Sequence, residues 1–163
     1  MAKPPVLTST RALYAVVALF ILASSTPADA VLGADAASIS ADHARLSGGQ
    51  KRPLNMRNPQ LQAHEIAMVD GSSIREYVAP NGVVFAVAWS TRFKPDLMSL
   101  LGRHAASYAA AASDAMKVPG IKRSVVLQRD DLVVQASSHL NSFVGKAYLR
   151  SMVPTGVNID ELR

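Results

Sequence analysis

The side chains best suited to acid–base and metal chemistry near neutral pH are four histidines, namely His43, His64, His104 and His139. None lies two or four residues from another, the spacing that places two imidazoles on one face of a strand or helix. The chain has no cysteine, which excludes disulfides, thiolate metal sites and thiol nucleophiles. The sequence therefore predicts no metal site and no cofactor.

His139 has the neighbours that come nearest to a serine-type hydrolytic site. Ser137 and Ser138 precede it, and Asp130 and Asp131 lie a few residues upstream. Such chemistry needs a base held against the hydroxyl by a third group, and the G-x-S-x-G turn that exposes a nucleophilic serine is absent. We assign no catalytic residue. An envelope hydrolase that uses His139 with a nearby Ser is kept as an alternative function.

A second candidate is a recognition surface. Arg75 and Tyr77 share one face of a predicted strand, whereas Glu76 points to the other face. Arg and Tyr are frequent anchors at binding surfaces, but the same pair is typical of cross-strand packing with an ion pair, which we favour.

Basic residues upstream could extend this surface. The predicted surface combines the strand pair with part of a loose basic cluster, and its members are Arg75, Tyr77, Arg45, Lys51 and Arg52. Arg57 also belongs to the cluster. Such a cluster suits electrostatic contact with an anionic surface, but a solvated flexible loop is the interpretation that we favour. A peripheral membrane-surface protein that uses the basic loop 45–57 is the third candidate function.

Residues 1–30 have the pattern of a secretory signal peptide. Lys3 and Arg11 give a positive start, residues 12–23 are uncharged and apolar, and Ala28-Asp29-Ala30 provides a small-x-small cleavage site. The apolar run is shorter than the roughly 20 residues that span a bilayer. Without a twin-arginine pair, the pattern favours the general secretion route. We expect a periplasmic or secreted protein with no transmembrane span after cleavage.

The remaining chain divides into three parts. Residues 31–59 are predicted to be a flexible leading segment, because Ser47-Gly48-Gly49 and Pro53 break regular structure. Residues 60–154 are predicted to form a single domain. Residues 155–163 are predicted to be a loose C-terminal tail.

The clearest folding signal is a hairpin at residues 75–89. The turn Ala79-Pro80-Asn81-Gly82 suits a type I turn, with Gly82 in the left-handed conformation of a bulge. The following strand alternates bulky and smaller residues: Val83, Phe85, Val87 and Trp89 against Val84, Ala86 and Ala88. The bulky side is predicted to face the core.

The other segments predict an α+β fold. Period-two patterns indicate strands at 60–69, 73–79 and 83–90, and again at 124–128, 132–138 and 142–150. Between them, Lys94-Pro95-Asp96 opens a helix that runs to about Lys117. We expect an antiparallel sheet of about six strands (meander, helix, meander) packed on one long helix. Leu101 and Tyr108 should be buried against Phe85 and Trp89.

Several of these segments together resemble a known family. They are Gly71, Arg75-Glu76-Tyr77, Pro80, the run from Gly82 to Trp89, Pro95-Asp96-Leu97, Leu100-Leu101-Gly102, Asp131-Leu132-Val133-Val134 and Gly145-Lys146-Ala147-Tyr148. Over roughly residues 61–154 the chain resembles small exported proteobacterial proteins classed as a domain of unknown function. The resemblance implies export and a single domain, and it implies no activity and no catalytic residues.

Composition narrows the choice of function. The chain carries a net charge of +5, which suits an anionic envelope component as partner, although ordinary solubility is the explanation that we favour for this charge. Aromatic residues are few and no basic helix is predicted, so nucleic acid is not an expected partner. We expect an exported, non-enzymatic cell-envelope protein that binds a partner or ligand.

Cleavage after Ala30 is directly testable. Mass spectrometry of the exported protein should find Val31 at its N-terminus, because the small residues Ala28 and Ala30 fit the peptidase. Ala28→Arg should block processing, and Asp29→Asn should leave it unchanged. Recovery of the mature protein with Met1 intact would contradict the prediction.

Overall fold

A seven-stranded antiparallel sheet forms the body of the protein. The computed structural model describes residues 32–35, 50–56, 58, 61–118, 120 and 123–163. The strands are β1 (Gln50–Leu54), β2 (Gln62–Ala67), β3 (Ser73–Val78), β4 (Val84–Thr91), β5 (Ser124–Arg129), β6 (Leu132–His139) and β7 (Ser142–Leu149). Their order across the sheet is β1-β2-β3-β4-β7-β6-β5. We call the end at which β4 ends and β7 begins the upper end.

The expected meander, helix, meander arrangement is confirmed, with seven strands instead of about six. The helical segment starts where predicted, since the Asp96 carboxylate accepts hydrogen bonds from the amides of Met98 and Ser99. It is not one continuous helix. Helix α1 (Leu97–Leu101) is separated from α2 (Ala105–Met116) by a 3-10 turn that begins at Gly102, whose φ is 45°. Glycine tolerates this left-handed conformation, which allows the chain to change direction there.

One side of the sheet, the helix face, packs against α1 and α2. Leu101 and Trp89 are buried there in one apolar cluster, with Tyr108 packed against it. Trp89 lies opposite Gly145 on β7, where a Cβ would collide with the indole ring. The glycine therefore makes room for the largest side chain of the core.

The prediction that Phe85 faces the helix is wrong. Tyr77 pairs with Ala86 and Val78 pairs with Val84, so Phe85 is an extra residue in β4 and the alternation shifts at that point. Phe85 belongs to the cluster on the opposite side, which we call the groove face. Val84, predicted to share the side of the small residues, is buried on the helix face.

The prediction of a loose C-terminal tail is also wrong. Residues 153–163, here called the C-terminal segment, cross the groove face. Leu162 is only 3% exposed and is buried with Phe85 and Ala88. Val157 and Ile159 pack against the same cluster. The segment thus covers part of the small-residue side of β4.

The leading segment contains regular structure as well. Its residues Gln50–Leu54 form the edge strand β1, although Pro53 was predicted to interrupt any element. Pro is tolerated on an edge, and Lys, Arg and Pro discourage pairing with further strands. Upstream, Leu32 is buried in the core, and the Gly33 amide donates a 2.7 Å hydrogen bond to the Val84 carbonyl. The predicted signal peptide, its cleavage site and Arg45 lie outside the described residues.

The central hairpin turn has the predicted geometry. The Gly82 amide donates to the Ala79 carbonyl at 2.9 Å, and the Ala79 amide donates to the Val83 carbonyl at 2.9 Å. Gly82 has a φ of 81°. The left-handed glycine therefore closes the turn and sets the start of β4.

This geometry predicts the cost of replacing Gly82. Gly82→Val should lower the free energy of unfolding by about 1–2 kcal/mol, because a β-branched residue is strained at positive φ. Gly82→Asn is the matched control and should lose less, since Asn tolerates this conformation. Denaturant unfolding gives both values. Equal losses for Val and Asn would show that backbone strain is not the cause.

Candidate functional site

The groove face is organised in three rows that run across the strands, since directly paired residues share a face. The lower row is apolar and contains Leu54, Ala63, Tyr77, Ala86 and Tyr148. The middle row contains Arg52, Glu65, Arg75, Ala88, Lys146 and Gln135. The row nearest the upper end contains Ser73, Ser90, Val144, Ser137 and Ser124. The lower row is therefore apolar, the middle row is charged, and the upper row is rich in hydroxyl groups.

The middle row holds a buried carboxylate between two guanidinium groups. Glu65 is 2% exposed and lies directly opposite Arg52 on β1 and Arg75 on β3. Arg75 Nε donates to Glu65 Oε1 at 2.8 Å, and Arg52 Nε donates to Glu65 Oε2 at 2.5 Å. Burial raises the pKa of Glu65, but the hydrogen bonds and charges of the two arginines outweigh it and hold the pKa below its usual value. Glu65 is therefore ionised and fixed.

Arg75 and Tyr77 hold the end of the C-terminal segment. Arg75 Nη1 donates to the Arg163 carbonyl oxygen, and the Tyr77 hydroxyl donates to the same oxygen at 2.9 Å. The Arg163 amide donates back to the Tyr77 hydroxyl at 3.2 Å. Burial raises the pKa of the Tyr77 phenol above its usual value, despite the hydrogen bond with Arg163 and the charge of Arg75. The Tyr77 hydroxyl therefore stays protonated and can donate its hydrogen bond to Arg163.

Lys146 makes a second set of contacts with the C-terminal segment. Its ammonium donates to the Ile159 carbonyl at 2.6 Å and lies 3.5 Å from a carboxylate oxygen of Asp160. The Lys146 side chain is 13% exposed. It lies beside Ala88, which pairs with Arg75 on its other side. The small alanine leaves space between the two cations.

A groove of about 530 Å³ opens above these attachments. Its floor includes Ala88 and the serines of the upper row, and its wall includes Lys146, Arg163 and Asp160. The volume is within the range of small-molecule sites. Among the lining residues, three cations (Arg75, Lys146 and Arg163) face a single acid, Asp160. The groove therefore combines positive charge with hydroxyl groups.

The structure brings together three of the five residues of the predicted recognition surface. Arg52, Arg75 and Tyr77 lie on the groove face, joined through Glu65 and Arg163. The expected cross-strand ion pair is confirmed, because Arg75 lies opposite Glu65 and bonds to it. Lys51 pairs with Ile66 and points to the helix side of edge strand β1. Arg45 lies outside the described residues.

Sequence reasoning did not single out Glu65, Lys146 or Arg163. Glu65 and Lys146 sit in predicted strands, where an ionisable residue looks like ordinary solvent-facing polarity. The available signal for the C-terminal segment was its apolar spacing, with Val157, Ile159 and Leu162 among its last residues. That spacing predicts a packed segment, provided that an open apolar surface exists to receive it.

His139 and the two aspartates proposed as its partners do not converge; His43 lies outside the described residues. His139 ends β6, whereas Asp130 and Asp131 precede its first residue. The eight residues of this strand separate them by roughly 25 Å. Asp131 instead accepts a 2.8 Å hydrogen bond from the Ser151 amide, and Asp130 accepts one of 2.8 Å from the Ser107 hydroxyl. Within the described ranges, no group of three or more His, Asp or Glu side chains is placed to hold a metal ion.

Comparison with known families identifies where the chain belongs. Residues 28–162 match the family described as "Protein of unknown function (DUF2844)". The chain belongs to this family. The DUF2844 match includes every described strand and helix, and it begins inside the predicted cleavage site. No curated protein and no solved structure matches the chain. None of the helices in the described part of the chain is long and apolar enough to cross a membrane.

The buried charge makes Glu65 a pH-dependent support of the fold. Glu65→Gln should lower the free energy of unfolding at pH 7 by about 1–3 kcal/mol, because both arginines lose their charged acceptor. The pKa of Glu65 is lower in the folded state than its usual 4.5. Its contribution is therefore complete above about pH 4.5 and is lost as the pH falls through the folded-state pKa.

Urea unfolding of the parent and Glu65→Gln between pH 3 and pH 7 measures this effect. The difference between the two proteins should narrow at the acidic end. Glu161→Gln, a change at an exposed acid of the C-terminal segment, is the matched control and should stay within about 0.5 kcal/mol of the parent. If the difference in unfolding free energy between Glu65→Gln and the parent does not change with pH, the result would contradict the assignment of Glu65 as a pH-dependent support of the fold.

Proposed function

We propose that this protein is an exported, non-enzymatic component of the cell envelope that binds an anionic, hydroxyl-bearing ligand in the groove. The observation that carries the proposal is the groove itself, with three cations beside a floor rich in serine. Cationic side chains make strong, charge-assisted hydrogen bonds to carboxylate or phosphate groups. The serine hydroxyls can donate to or accept from sugar hydroxyls.

Ligand chemistry follows from the position of these groups. Lys146 and Arg75 lie on either side of Ala88 in the middle row, and the serines lie one row above. A ligand with its anionic group between the cations would place its neutral part over Ser73, Ser90 and Ser137. An acidic saccharide, which carries a carboxylate or phosphate and several hydroxyls, fits this arrangement.

Two features of the chain support an envelope location. Residues 1–30 combine a positive start, an apolar run and a small-x-small site. The family match begins at residue 28, next to the predicted cleavage site. The folded domain would then be the exported part, and it would meet the acidic glycans of the envelope.

Binding of saccharides tests the proposal. Isothermal titration with digalacturonate and glucose 6-phosphate should show binding of at least one, whereas the neutral sugars cellobiose and glucose should bind more weakly. Lys146→Gln should weaken binding of the acidic ligand by about tenfold or more, because it removes a charged partner. Added salt should weaken it as well.

The matched control is Arg129→Gln, which removes an exposed cation at the far end of β5, outside the groove lining. It should bind like the parent. Equal binding of acidic and neutral sugars, or unchanged binding by Lys146→Gln, would contradict the proposal. Failure of both acidic probes to bind would also count against it.

A further inference from the structure

Exposed apolar side chains are grouped at the upper end of the sheet. Val69 in the β2–β3 turn is 99% exposed, Phe93 after β4 is 74% exposed, and Leu140 in the β6–β7 turn is 86% exposed. Three separate connections thus each present one large apolar side chain. The predicted basic loop, the groove and the C-terminal segment contribute none of these three residues.

The three connections are neighbours because their strands are neighbours. The Arg92 amide donates to the Ser72 hydroxyl at 3.1 Å, which ties the end of β4 to the β2–β3 turn. On the other side, Thr91 at the end of β4 pairs with Phe143 near the start of β7, next to the β6–β7 turn. With strands about 4.8 Å apart, Val69 and Leu140 stand on turns separated by roughly 15 Å.

Grouping separates these residues from ordinary exposed apolar side chains. The described residues expose eight large apolar side chains, and four of them lie at this end: the three tips and Met98, which lies in the first turn of α1 soon after Phe93. Single exposed apolar residues are common on soluble proteins. A group on adjacent loops indicates an interaction surface.

Charge accompanies the apolar tips. Arg92, Lys94 and Arg123 are exposed at the same end. Two carboxylates lie nearby, Asp70, which accepts from the Ser72 amide at 2.9 Å, and Asp96, which caps α1, so the three cations outnumber the two acids. Cations next to apolar tips match the interface of an anionic bilayer, where phosphates lie just above the acyl chains.

We propose that the upper end is a docking surface for an anionic lipid bilayer. Val69, Phe93 and Leu140 reach the boundary between headgroups and acyl chains, and Arg92 and Lys94 contact lipid phosphates. Separate apolar tips, one of them flanked by Arg92 and Lys94, suit a fluid surface that can fill the spaces between them. None of these five residues lines the groove, although the serines of its upper row lie at the same end of the sheet.

Vesicle sedimentation tests the docking surface. The protein purified from the soluble fraction should bind phosphatidylcholine vesicles that contain phosphatidylglycerol, and bind pure phosphatidylcholine vesicles more weakly. Phe93→Ser and Leu140→Ser should each weaken binding to the anionic vesicles by about tenfold, because each removes an inserted apolar side chain. All variants must share one N-terminus, checked by mass.

Controls separate docking from other causes. Val126→Ser changes an apolar side chain that is 56% exposed in the middle of β5, and it should bind like the parent. In Phe93→Trp, the tryptophan emission should shift to the blue on binding. The native Trp89 is buried, so the shift would report on position 93. Absence of binding by the parent, equal binding to neutral vesicles, or unchanged binding by Phe93→Ser and Leu140→Ser would overturn the proposal. A parent dimer that these two variants convert to monomer, without vesicle binding, would assign the surface to a second copy instead.

Discussion

A carboxylate buried on the face of a sheet must be neutralised, and in this protein the two arginines on either side of Glu65 neutralise it. The three side chains belong to neighbouring strands, so their pairing also fixes the register of β1, β2 and β3. With two of its nitrogens bonded to Glu65, the Arg75 guanidinium is held in one orientation. Its remaining terminal nitrogen then reaches the Arg163 carbonyl.

Attachment of the C-terminal segment shapes the groove face. Burial of Leu162 fills the lower, apolar row, whereas Arg75, Tyr77 and Lys146 hold the backbone on either side of it. Without the segment, the lower row would be an exposed apolar patch and the groove would lack a wall. One set of contacts therefore both completes the core and leaves the charged and serine-rich rows open for binding.

Local signals in the sequence were sufficient to predict most of the strands, the helical segment and the central turn. The turn at Gly82 and the helix start at Asp96 are set by backbone chemistry within a few residues, and both are confirmed. The face of Phe85 could not be predicted in this way, because a single extra residue in β4 reverses the alternation. Edge strand β1 carries little apolar pattern, since four of its five residues are exposed.

The candidate site could not be predicted in the same way, because it depends on the pairing register of the strands, which local sequence signals do not determine. Glu65 meets Arg75 because five residues separate β2 from β3. A slip of one residue would place Glu65 opposite Glu76 and turn its side chain to the other face. The strand order is equally non-local, since β7 returns to pair with β4 after the helices and two further strands. Arg163 joins the site only through this arrangement.

Hydrogen exchange of the C-terminal segment in Tyr77→Phe tests most directly whether these contacts hold it on the sheet. The substitution removes only the hydroxyl that donates to the Arg163 carbonyl and accepts from its amide. We predict faster exchange at the amides of Leu162 and Arg163, with protection of β3 and β4 unchanged. Unchanged protection at Leu162 and Arg163 would contradict the account, because the Tyr77 hydroxyl would then contribute nothing to holding the segment.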